Sequence, residues 1–385
     1  MKKNDKPIRV LNVMSDLSAD GGIEAIVLGI LRSYDRERFH HDVCCITTVE
    51  GAAAEEARAL GAEVHFCRKS PNMSGFASRF REILASRQYD VVHSHVNSWS
   101  GAMMRGAAEA GVPVRVAHIH SAAPKLAGRN IGWNPAAKLA ASYVDAVGLS
   151  WISRYAGRII GISEAALDLH WPSWRNEPGR FVTWAGGVDT ERFKPRAGER
   201  SGRARAPRLI FVGAFSPDKN QRELLDVLAG VRRRFPGAVL NLVGTGARLD
   251  DIRRRASLQG LADAVALPGV RTDVPELLAN ADIFVSASKR EGLPQAVLEA
   301  QSAALPVVAS DIGAHREAVA PELRSFLYPL GRPAEAAERI GRLLESDALF
   351  AESGAAARRF ILAGFGQKAL LARLQDWHED WFARA

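Results

Sequence analysis

The stretch Ser288–Ser310, SKREGLPQAVLEAQSAALPVVAS, predicts a tight loop, a helix and a buried strand in succession. Gly292 lets the backbone approach a ligand closely, and Pro294 suits the first turn of a helix, where its missing N–H costs nothing. The run QAVLEAQSAA is rich in good helix formers, whereas LPVVAS is apolar and β-branched, as a buried parallel strand is. We therefore expect residues 292–294 at a helix N-terminus, which favours an anion.

Two carboxylates flank this helix start, because Glu299 follows Glu291 by eight positions. A helical path between them would rise about 12 Å at about 1.5 Å per residue. Carboxylates that far apart could each bind a hydroxyl-bearing group on either side of a pyrophosphate. They could equally be ordinary solvated side chains, and their spacing alone does not decide between the two.

Strands and helices alternate along the whole chain, which predicts parallel doubly wound sheets. A length of 385 residues suits two domains. The polar and basic stretch 196–208, RAGERSGRARAPR, is the predicted linker. We expect one domain over 1–195 and a second over 209–365. Residues 366–385 form a last helix with an apolar stripe, which packs on the first domain or binds a partner.

Composition limits the class of protein. The chain is 47% hydrophobic and 24% charged, as soluble globular proteins are. Its net charge of +8 favours anionic partners such as nucleotide phosphates or anionic lipid. Nucleic acid is disfavoured, because the arginines are scattered through helices rather than interleaved with aromatic residues. Cys44, Cys45 and Cys67 fit no metal or redox spacing and are expected to be buried thiols. No stretch approaches the about 20 apolar residues of a membrane span, so we expect a cytoplasmic protein.

Four histidines are expected at the ends of two neighbouring strands. His93 and His95 end the stretch DVVHSHV, and His118 and His120 end PVRVAHIHSA. Ligands of open α/β sheets lie beyond the C-terminal ends of strands, although a single histidine there is more often structural. Neutral imidazoles can hydrogen-bond hydroxyl groups, so these residues imply no metal.

Two regions in the first half of the chain could either contact a membrane or belong to the domain's own core and solvated surface. The helix predicted at MSGFASRFREILASRQYD places Phe76 and Phe80 on one face, which is either core or a membrane contact. Residues 121–158 are biased towards lysine and arginine and contain interspersed aromatic residues. This region could dock on an anionic membrane surface, or its excess charge could simply be solvated.

The opening stretch resembles the E-x7-E element of the retaining glycosyltransferases of family four, which have the GT-B fold. Lys219 and Asn220 lie in VGAFSPDKN, which is similar to the family's V-G-R-x-x-x-x-K-N. Gly21 and Gly22 resemble its GG-x-E turn and depart from the G-x-G-x-x-G of nicotinamide-binding domains. The fold implied is two Rossmann-like domains facing a cleft, with the C-terminal helix crossing back to the first domain. The resemblance also implies that the first domain binds the acceptor and the second the nucleotide sugar.

The resemblance also implies roles for individual residues. Glu291 would contact the donor sugar, Glu299 the nucleotide ribose, and Lys219 the diphosphate. Ala214 stands where the family has an arginine, which removes a bidentate phosphate ligand. Lys289 or Arg290 could supply the missing charge.

The implied site residues fall into three groups, and the resemblance implies neither a metal nor a cofactor. The catalytic candidates are His120, Lys219 and Glu291. The donor-binding candidates are Gly21, Gly22, Gly213, Lys219, Asn220, Gly244, Val270, Arg290, Glu291, Gly292, Leu293, Pro294 and Glu299. The acceptor-side candidates are Glu24, His95 and His118.

The function implied is transfer of a hexose, with retention, from a nucleotide diphosphate sugar to a saccharide or polyprenyl-diphosphate-linked acceptor. In detail the chain looks most like bacterial enzymes of exopolysaccharide, capsule and lipopolysaccharide synthesis. A UDP-sugar is favoured and a GDP-sugar is the alternative donor. Two other functions stay open: sugar-nucleotide 2-epimerisation, and a degenerate, non-catalytic protein that binds a sugar or lipid.

Overall fold

The computed structural model describes residues 6–17, 22–48, 51–67, 73–121, 135–196 and 206–385, with backbone alone for 73–75 and 137–138. These residues fall into two compact units, one comprising 1–187 with 367–385 and the other 188–366. Four features singled out in the sequence lie outside the described residues: Gly21, Lys125, Arg129 and most of the predicted linker.

The first unit is built on a seven-stranded parallel sheet with the order β3-β2-β1-β4-β5-β6-β7. Apolar, β-branched runs form its central strands, as expected where both sheet faces are covered. The strands are β1 (Ile8–Met14), β2 (Phe39–Cys45), β3 (Val64–Phe66), β4 (Val91–Ser94), β5 (Val114–Ile119), β6 (Arg158–Gly161) and β7 (Phe181–Thr183). The helices between them are α1 (Gly22–Ser33), α2 (Ala52–Ala59), α3 (Met73–Arg87), α4 (Ser100–Glu109), α5 (Pro135–Tyr155) and α6 (Glu164–His170).

The second unit repeats the architecture on a six-stranded parallel sheet with the order β10-β9-β8-β11-β12-β13. Its strands are β8 (Arg208–Val212), β9 (Val239–Val243), β10 (Val265–Gly269), β11 (Ile283–Ser286), β12 (Val307–Ser310) and β13 (Leu327–Tyr328). Its helices are α7 (Gln221–Arg232), α8 (Leu249–Leu258), α9 (Val274–Asn280), α10 (Gln295–Ser302), α11 (Gly313–Ala318), α12 (Pro333–Glu345) and α13 (Asp347–Gly364).

The last helix, α14 (Gln367–Ala383), belongs to the first unit. It packs against α1 and β5, and it buries Leu371, Leu374 and Trp381 of the predicted apolar stripe. The indole nitrogen of Trp184 donates to the Leu370 carbonyl at 2.8 Å. The stripe is therefore covered by the first unit, as the GT-B architecture requires, and is not a free partner-binding surface.

Helix α3 contributes to the core of the first unit. Phe76 and Phe80 are 3% and 1% exposed, and a Cβ atom at Gly106 of α4 would lie 3.0 Å from the Phe80 ring. The alternative of a membrane contact through this face is therefore wrong, because α4 already covers it. The three cysteines are buried free thiols, as predicted.

The strand order reverses once in each sheet, between β1 and β4 in the first unit and between β8 and β11 in the second. Ligands of open α/β sheets bind outside the carboxyl ends of the strands at such a point. The predicted fold class, two Rossmann-like parallel-sheet domains with a returning C-terminal helix, is confirmed. Within the described residues, no helix combines the length and apolarity needed to cross a membrane.

Candidate active site

The loops after β8 and β11 bring together residues that are distant in sequence. Lys219 follows β8, and Asn220 beside it has φ of 53°, a left-handed conformation that turns the chain into α7. Glu291 follows β11. Because the two strands are neighbours in the sheet, their C-terminal loops meet, and Lys219 Nζ lies 2.6 and 2.8 Å from the two carboxylate oxygens of Glu291.

This ion pair is shielded from water, since the Glu291 side chain is 9% exposed and that of Lys219 27%. A pair in such surroundings interacts more strongly than one at the surface. In this conformation the Lys219 charge is therefore directed at a protein carboxylate. An anionic ligand at this place would have to share or replace that contact.

The arginine that could replace the missing family arginine is also paired. Arg290 donates to Asp218 Oδ1 through Nη2 at 2.7 Å, and the Lys289 backbone N–H donates to the Asp218 carbonyl at 2.7 Å. These two contacts fasten the β11 loop to the β8 loop. Asp218 thereby compensates the guanidinium charge of Arg290, while Ala214 is exposed in the loop after β8.

Glu299 lies one helical turn inside α10, in the same unit. Burial raises the pKa of its carboxyl to about 7, while the nearby Arg192 charge and a hydrogen bond from Gln295 oppose the rise. A carboxyl with a pKa near neutrality can exist in either form under ordinary conditions. A ligand hydroxyl that donates to it would favour the ionised form.

The N-terminal end of α10 differs by one residue from the expectation. Pro294 precedes the helix rather than occupying its first turn, and its carbonyl accepts from the N–H groups of Val297 and Leu298. A residue just outside a helix accepts the first intrahelical bond in this way. Gly292 and Leu293 lie immediately before it and are half-buried, so this segment borders the Lys219–Glu291 pair.

Gly244, another predicted donor-binding glycine, has a steric reason for its identity. A Cβ atom at Gly244 would lie 2.2 Å from the Gly213 carbonyl oxygen, and Gly244 has φ of 130°. The ends of β8 and β9 approach too closely for any side chain at residue 244. Val270, by contrast, is 70% exposed at the end of β10.

A buried network beneath the β11 loop was not anticipated from the sequence. Ser310 Oγ donates to the Ser288 carbonyl at 2.5 Å, and His315 Nδ1 lies 2.7 Å from the Ser310 carbonyl. His315 is fully buried, which lowers its pKa, and the charge of Glu291 opposes that fall. These residues hold the loop from below. The sequence feature that could have indicated this network is Ser310, a polar residue at the C-terminal end of the buried strand β12.

The histidines of the first unit form a two-by-two stack on one face of β4 and β5. The ring centroids of His93 and His95 are 4.2 Å apart, and those of His118 and His120 are 3.9 Å apart. Between the strands, His95 Nδ1 lies 3.1 Å from His120 Nε2. His378 of α14 meets the His93 ring edge-on at 5.2 Å.

The four predicted or neighbouring histidines differ in exposure. His93, His95 and His118 are at most 1% exposed, whereas His120 is partly exposed. Burial lowers the pKa of all four rings, that of His120 to about 3, so they are neutral. The predicted acceptor-side residues His95 and His118 thus offer no surface to a ligand, and any effect they have on one would act through His120.

Three of these rings are also the only group in the described residues with the spacing of metal ligands. His93, His95 and His118 each place one ring nitrogen within 4.8 Å of the others. Imidazole nitrogens suit zinc and other late transition ions. Elsewhere in the first unit, Gly22 begins α1, and Glu24 lies half-buried in its first turn.

Two family models together match most of the chain. The model described as Glycosyltransferase Family 4 matches residues 20–192, and the model described as Glycosyl transferases group 1 matches residues 206–346. The first model ends at residue 192 and the second begins at 206, close to the division between the two units at 187/188.

Curated proteins that are similar to the chain are glycosyltransferases by name. EpsF of Bacillus subtilis, whose name describes a glycosyltransferase, is 29% identical over 323 residues, covering 80% of this chain and 80% of that protein. An Escherichia coli UDP-Gal:alpha-D-GlcNAc-diphosphoundecaprenol alpha-1,3-galactosyltransferase is 27% identical over 260 residues, covering 65% of each chain.

A solved structure, that of Anabaena Alr3699/HepE in complex with UDP-glucose, resembles the chain in fold. It superposes with a TM-score of 0.78 at 20% identity, over 96% of this chain and 98% of that one. The matched models, the curated relatives and the two parallel-sheet units agree, and the chain therefore belongs to the family four glycosyltransferases of the GT-B fold.

Proposed function

We propose that this protein is a retaining hexosyltransferase of bacterial cell-surface polysaccharide synthesis. It moves a hexose from a nucleotide diphosphate sugar, with UDP favoured over GDP, to a saccharide or lipid-linked saccharide. The proposal for the pathway and donor is supported by the names of similar proteins, among them the E. coli galactosyltransferase and the UDP-glucose complex of Anabaena Alr3699/HepE.

The observation that carries the proposal is the contact between Lys219 and Glu291 in front of α10. Breaking an anomeric bond leaves negative charge on the departing diphosphate. A lysine and a helix N-terminus fixed at one place stabilise such charge without reorganising at the moment of reaction. In the proposed reaction, Lys219 and the backbone of 292–294 bind the diphosphate, and Glu291 turns to the sugar.

Glu299 and His120 have separate roles in this proposal. Glu299, four residues inside the helix that follows Pro294, accepts hydrogen bonds from the ribose hydroxyls. His120 of the first unit is neutral and hydrogen-bonds a sugar hydroxyl. No residue is assigned as a covalent nucleophile. The leaving phosphate helps to deprotonate the acceptor on the same face, and the sequence has no D-x-D pair for a metal-dependent reaction.

A donor screen tests the proposal. Full-length protein is incubated with UDP-, GDP- and ADP-sugars, with and without EDTA, and release of nucleotide diphosphate is measured. We expect hydrolysis of one UDP-sugar that EDTA does not suppress. The anomeric configuration of a product formed on an added acceptor, determined by NMR, tests retention.

The same screen separates the two rival functions. A 2-epimerase would form the epimer or its nucleotide-free sugar without any acceptor. A degenerate protein would bind nucleotide diphosphate in a calorimeter and release nothing from any donor. Ala214 is the residue that motivates this second rival, because it removes a phosphate ligand from the family pattern.

We further propose that the protein acts peripherally on the inner face of the cytoplasmic membrane. Helix α5 exposes Leu139 and Tyr143, at 74% and 71%, one turn apart on the same face. These residues lie within the basic region 121–158, whose cations would be attracted to anionic headgroups. Trp151 is engaged within the protein, since the Arg105 guanidinium lies 5.0 Å from its ring centroid.

Sedimentation with phosphatidylglycerol vesicles tests this location. Binding should require the anionic lipid, fall with added salt, and weaken in the double variant Leu139→Ser/Tyr143→Ser. Neutralising Lys125, Arg129 and Lys138 should weaken it as well. Leu258→Ser is the matched control, because Leu258 is 81% exposed on α8 of the other unit. Indifference to these vesicles at low salt would favour a soluble acceptor.

A further inference from the structure

His95 and His120 share one hydrogen bond in surroundings that make its direction matter. His95 Nδ1 lies 3.1 Å from His120 Nε2. The other nitrogen of His95, Nε2, is buried and has no hydrogen-bond partner among the described residues. His95 is 1% exposed, whereas His120 is partly exposed. The backbone N–H of His120 donates to Asn97 Oδ1 at 2.8 Å, which fixes the main chain there.

A neutral imidazole carries one N–H and one lone pair, so only two arrangements of the pair exist. If His120 Nε2–H donates, His95 must carry its own proton on Nε2, where it has no acceptor. This arrangement is disfavoured, because a buried N–H without an acceptor loses its hydrogen bond to water and gains none in the protein. If His95 Nδ1–H donates, the unpartnered His95 Nε2 carries a lone pair and no proton. The single N–H of His95 is then hydrogen-bonded.

We propose that His95 is a positioning residue, which donates from Nδ1 to His120 Nε2 and so holds His120 with its proton on Nδ1. His120 then presents Nδ1–H as a fixed hydrogen-bond donor to an oxygen of the donor sugar. It cannot act as a base through Nε2, which is occupied by His95. The inference rests on the proposed function for the sugar contact, but the proton arrangement itself does not depend on it.

The stacked rings support a fixed arrangement. His95 lies against His93 at a centroid distance of 4.2 Å with an interplanar angle of 23°, and His120 lies against His118 at 3.9 Å and 28°. Both members of the pair are thus held from one side by a neighbouring ring. The low pKa values of both rings keep them neutral, as a directional imidazole–imidazole bond requires.

Nitrogen NMR tests the proton positions directly. Full-length protein labelled with 15N-histidine is recorded at pH 8 in two-bond 1H–15N correlation spectra, with signals assigned from single histidine variants. We expect His95 and His120 both to carry their proton on Nδ1. A His120 signal with the proton on Nε2, or an equal mixture of the two forms, overturns the proposal without any activity measurement.

Two substitutions of His95 separate positioning from packing. In His95→Asn the amide nitrogen can take the place of Nδ1 as donor, whereas His95→Leu keeps bulk and removes the donor. We expect the leucine variant to release His120 into a mixture of both tautomers, and the asparagine variant to retain the Nδ1–H form. Equal tautomer populations in the two variants contradict the proposed role.

Hydrolysis of UDP-glucose serves as the kinetic probe. Loss of one oriented donor should lower kcat about 10-fold in His95→Leu, less than the loss of a whole oxyanion donor, with recovery in His95→Asn. The Kd of UDP should not change, since His120 is proposed to contact the sugar, which UDP lacks. If the wild-type protein does not hydrolyse UDP-glucose, the proposed function is challenged for that donor, while the NMR result still decides the tautomer.

Discussion

Lys219 and Glu291 lie 72 positions apart in the chain, yet the lysine Nζ is within 2.8 Å of both carboxylate oxygens of the glutamate. A cation proposed to hold a diphosphate is thus already engaged by the residue proposed to hold the sugar. Glu291 and a bound diphosphate would therefore compete for the positive charge of Lys219. Removing the lysine should therefore weaken nucleotide binding, whereas neutralising the glutamate should not.

Lys219→Ala should weaken binding of UDP by about 1.5–3 kcal/mol, the scale of a hydrogen bond to a charged group. Glu291→Gln should leave the Kd of UDP unchanged or lower it by up to about tenfold, because it frees the lysine charge, an effect of at most about 1.4 kcal/mol. Transfer should fall sharply in both variants. Isothermal titration with UDP measures the first effect, and equal losses of affinity in the two variants would rule out this division of roles.

Ala214→Arg should tighten binding of UDP about fivefold, or about 1 kcal/mol, the upper range of a contact between exposed charges. The residue is exposed at the end of β8, so an added side chain meets solvent rather than core. The gain should shrink as salt is added, because exposed charges are screened. Ala214→Gln controls for side-chain size, and a gain of equal size in that variant would mean that charge is not the cause.

Asp218→Asn should also tighten binding of UDP, because it releases Arg290 from an ion pair that now compensates its charge. The effect should vanish when Arg290 is replaced by alanine in the same protein. A double-mutant cycle on UDP affinity measures this coupling. Tightening that persists without Arg290 would mean that another cation, such as Lys289, is the one released.

The affinity for UDP should rise as the pH increases through about 7. Glu299 is protonated below its pKa of about 7 and ionised above it, and ribose hydroxyls donate to the ionised form. UDP binding below this pH should therefore release a proton from Glu299. Calorimetry in buffers of different ionisation enthalpy measures that proton. Glu299→Gln is the control for the titration of UDP itself, and an unchanged proton release in this variant would place the titrating group elsewhere.

Gly101→Ala should destabilise the first unit. Its new Cβ atom would lie 2.2 Å from the Gly148 carbonyl oxygen, where α4 and α5 cross. Overpacking of this kind costs about 1–3 kcal/mol, which corresponds to a fall in Tm of about 2–10 °C. Gly364→Ala is the matched control, because no heavy atom lies within 4 Å of its added Cβ. Scanning calorimetry compares the two, and an unshifted Tm in Gly101→Ala would mean that the crossing relaxes freely.

The strands and the returning helix were predictable because their signals are local. Five of the seven residues of Ile8–Met14, IRVLNVM, are apolar, and the structure has the strand over the same residues. The stripe that includes Leu371 and Leu374 has helical spacing, and both residues are buried. Patterns of this kind depend on only a few neighbouring residues, so the chain displays them without reference to the rest of the fold.

The pairings within the site were not predictable in the same way. The Lys219–Glu291 and Asp218–Arg290 contacts exist because β8 and β11 are neighbours across the switch point, and periodicity does not give that order. The sequence placed His95 and His118 beside a ligand, since both follow strand ends. Both rings are buried: His95 stacks on His93, and His118 lies between His120 and Trp184 of a later segment.

The first unit is discontinuous in sequence, since residues 367–385 complete a body that begins with 1–187. During synthesis the second unit, residues 188–366, is therefore fully released before the first has its last helix. Domains generally fold as units, the N-terminal one first. In this chain that order is inverted, because the unit that begins at the N-terminus is completed last. Until then the faces of α1 and β5 that α14 covers stay open on the nascent chain.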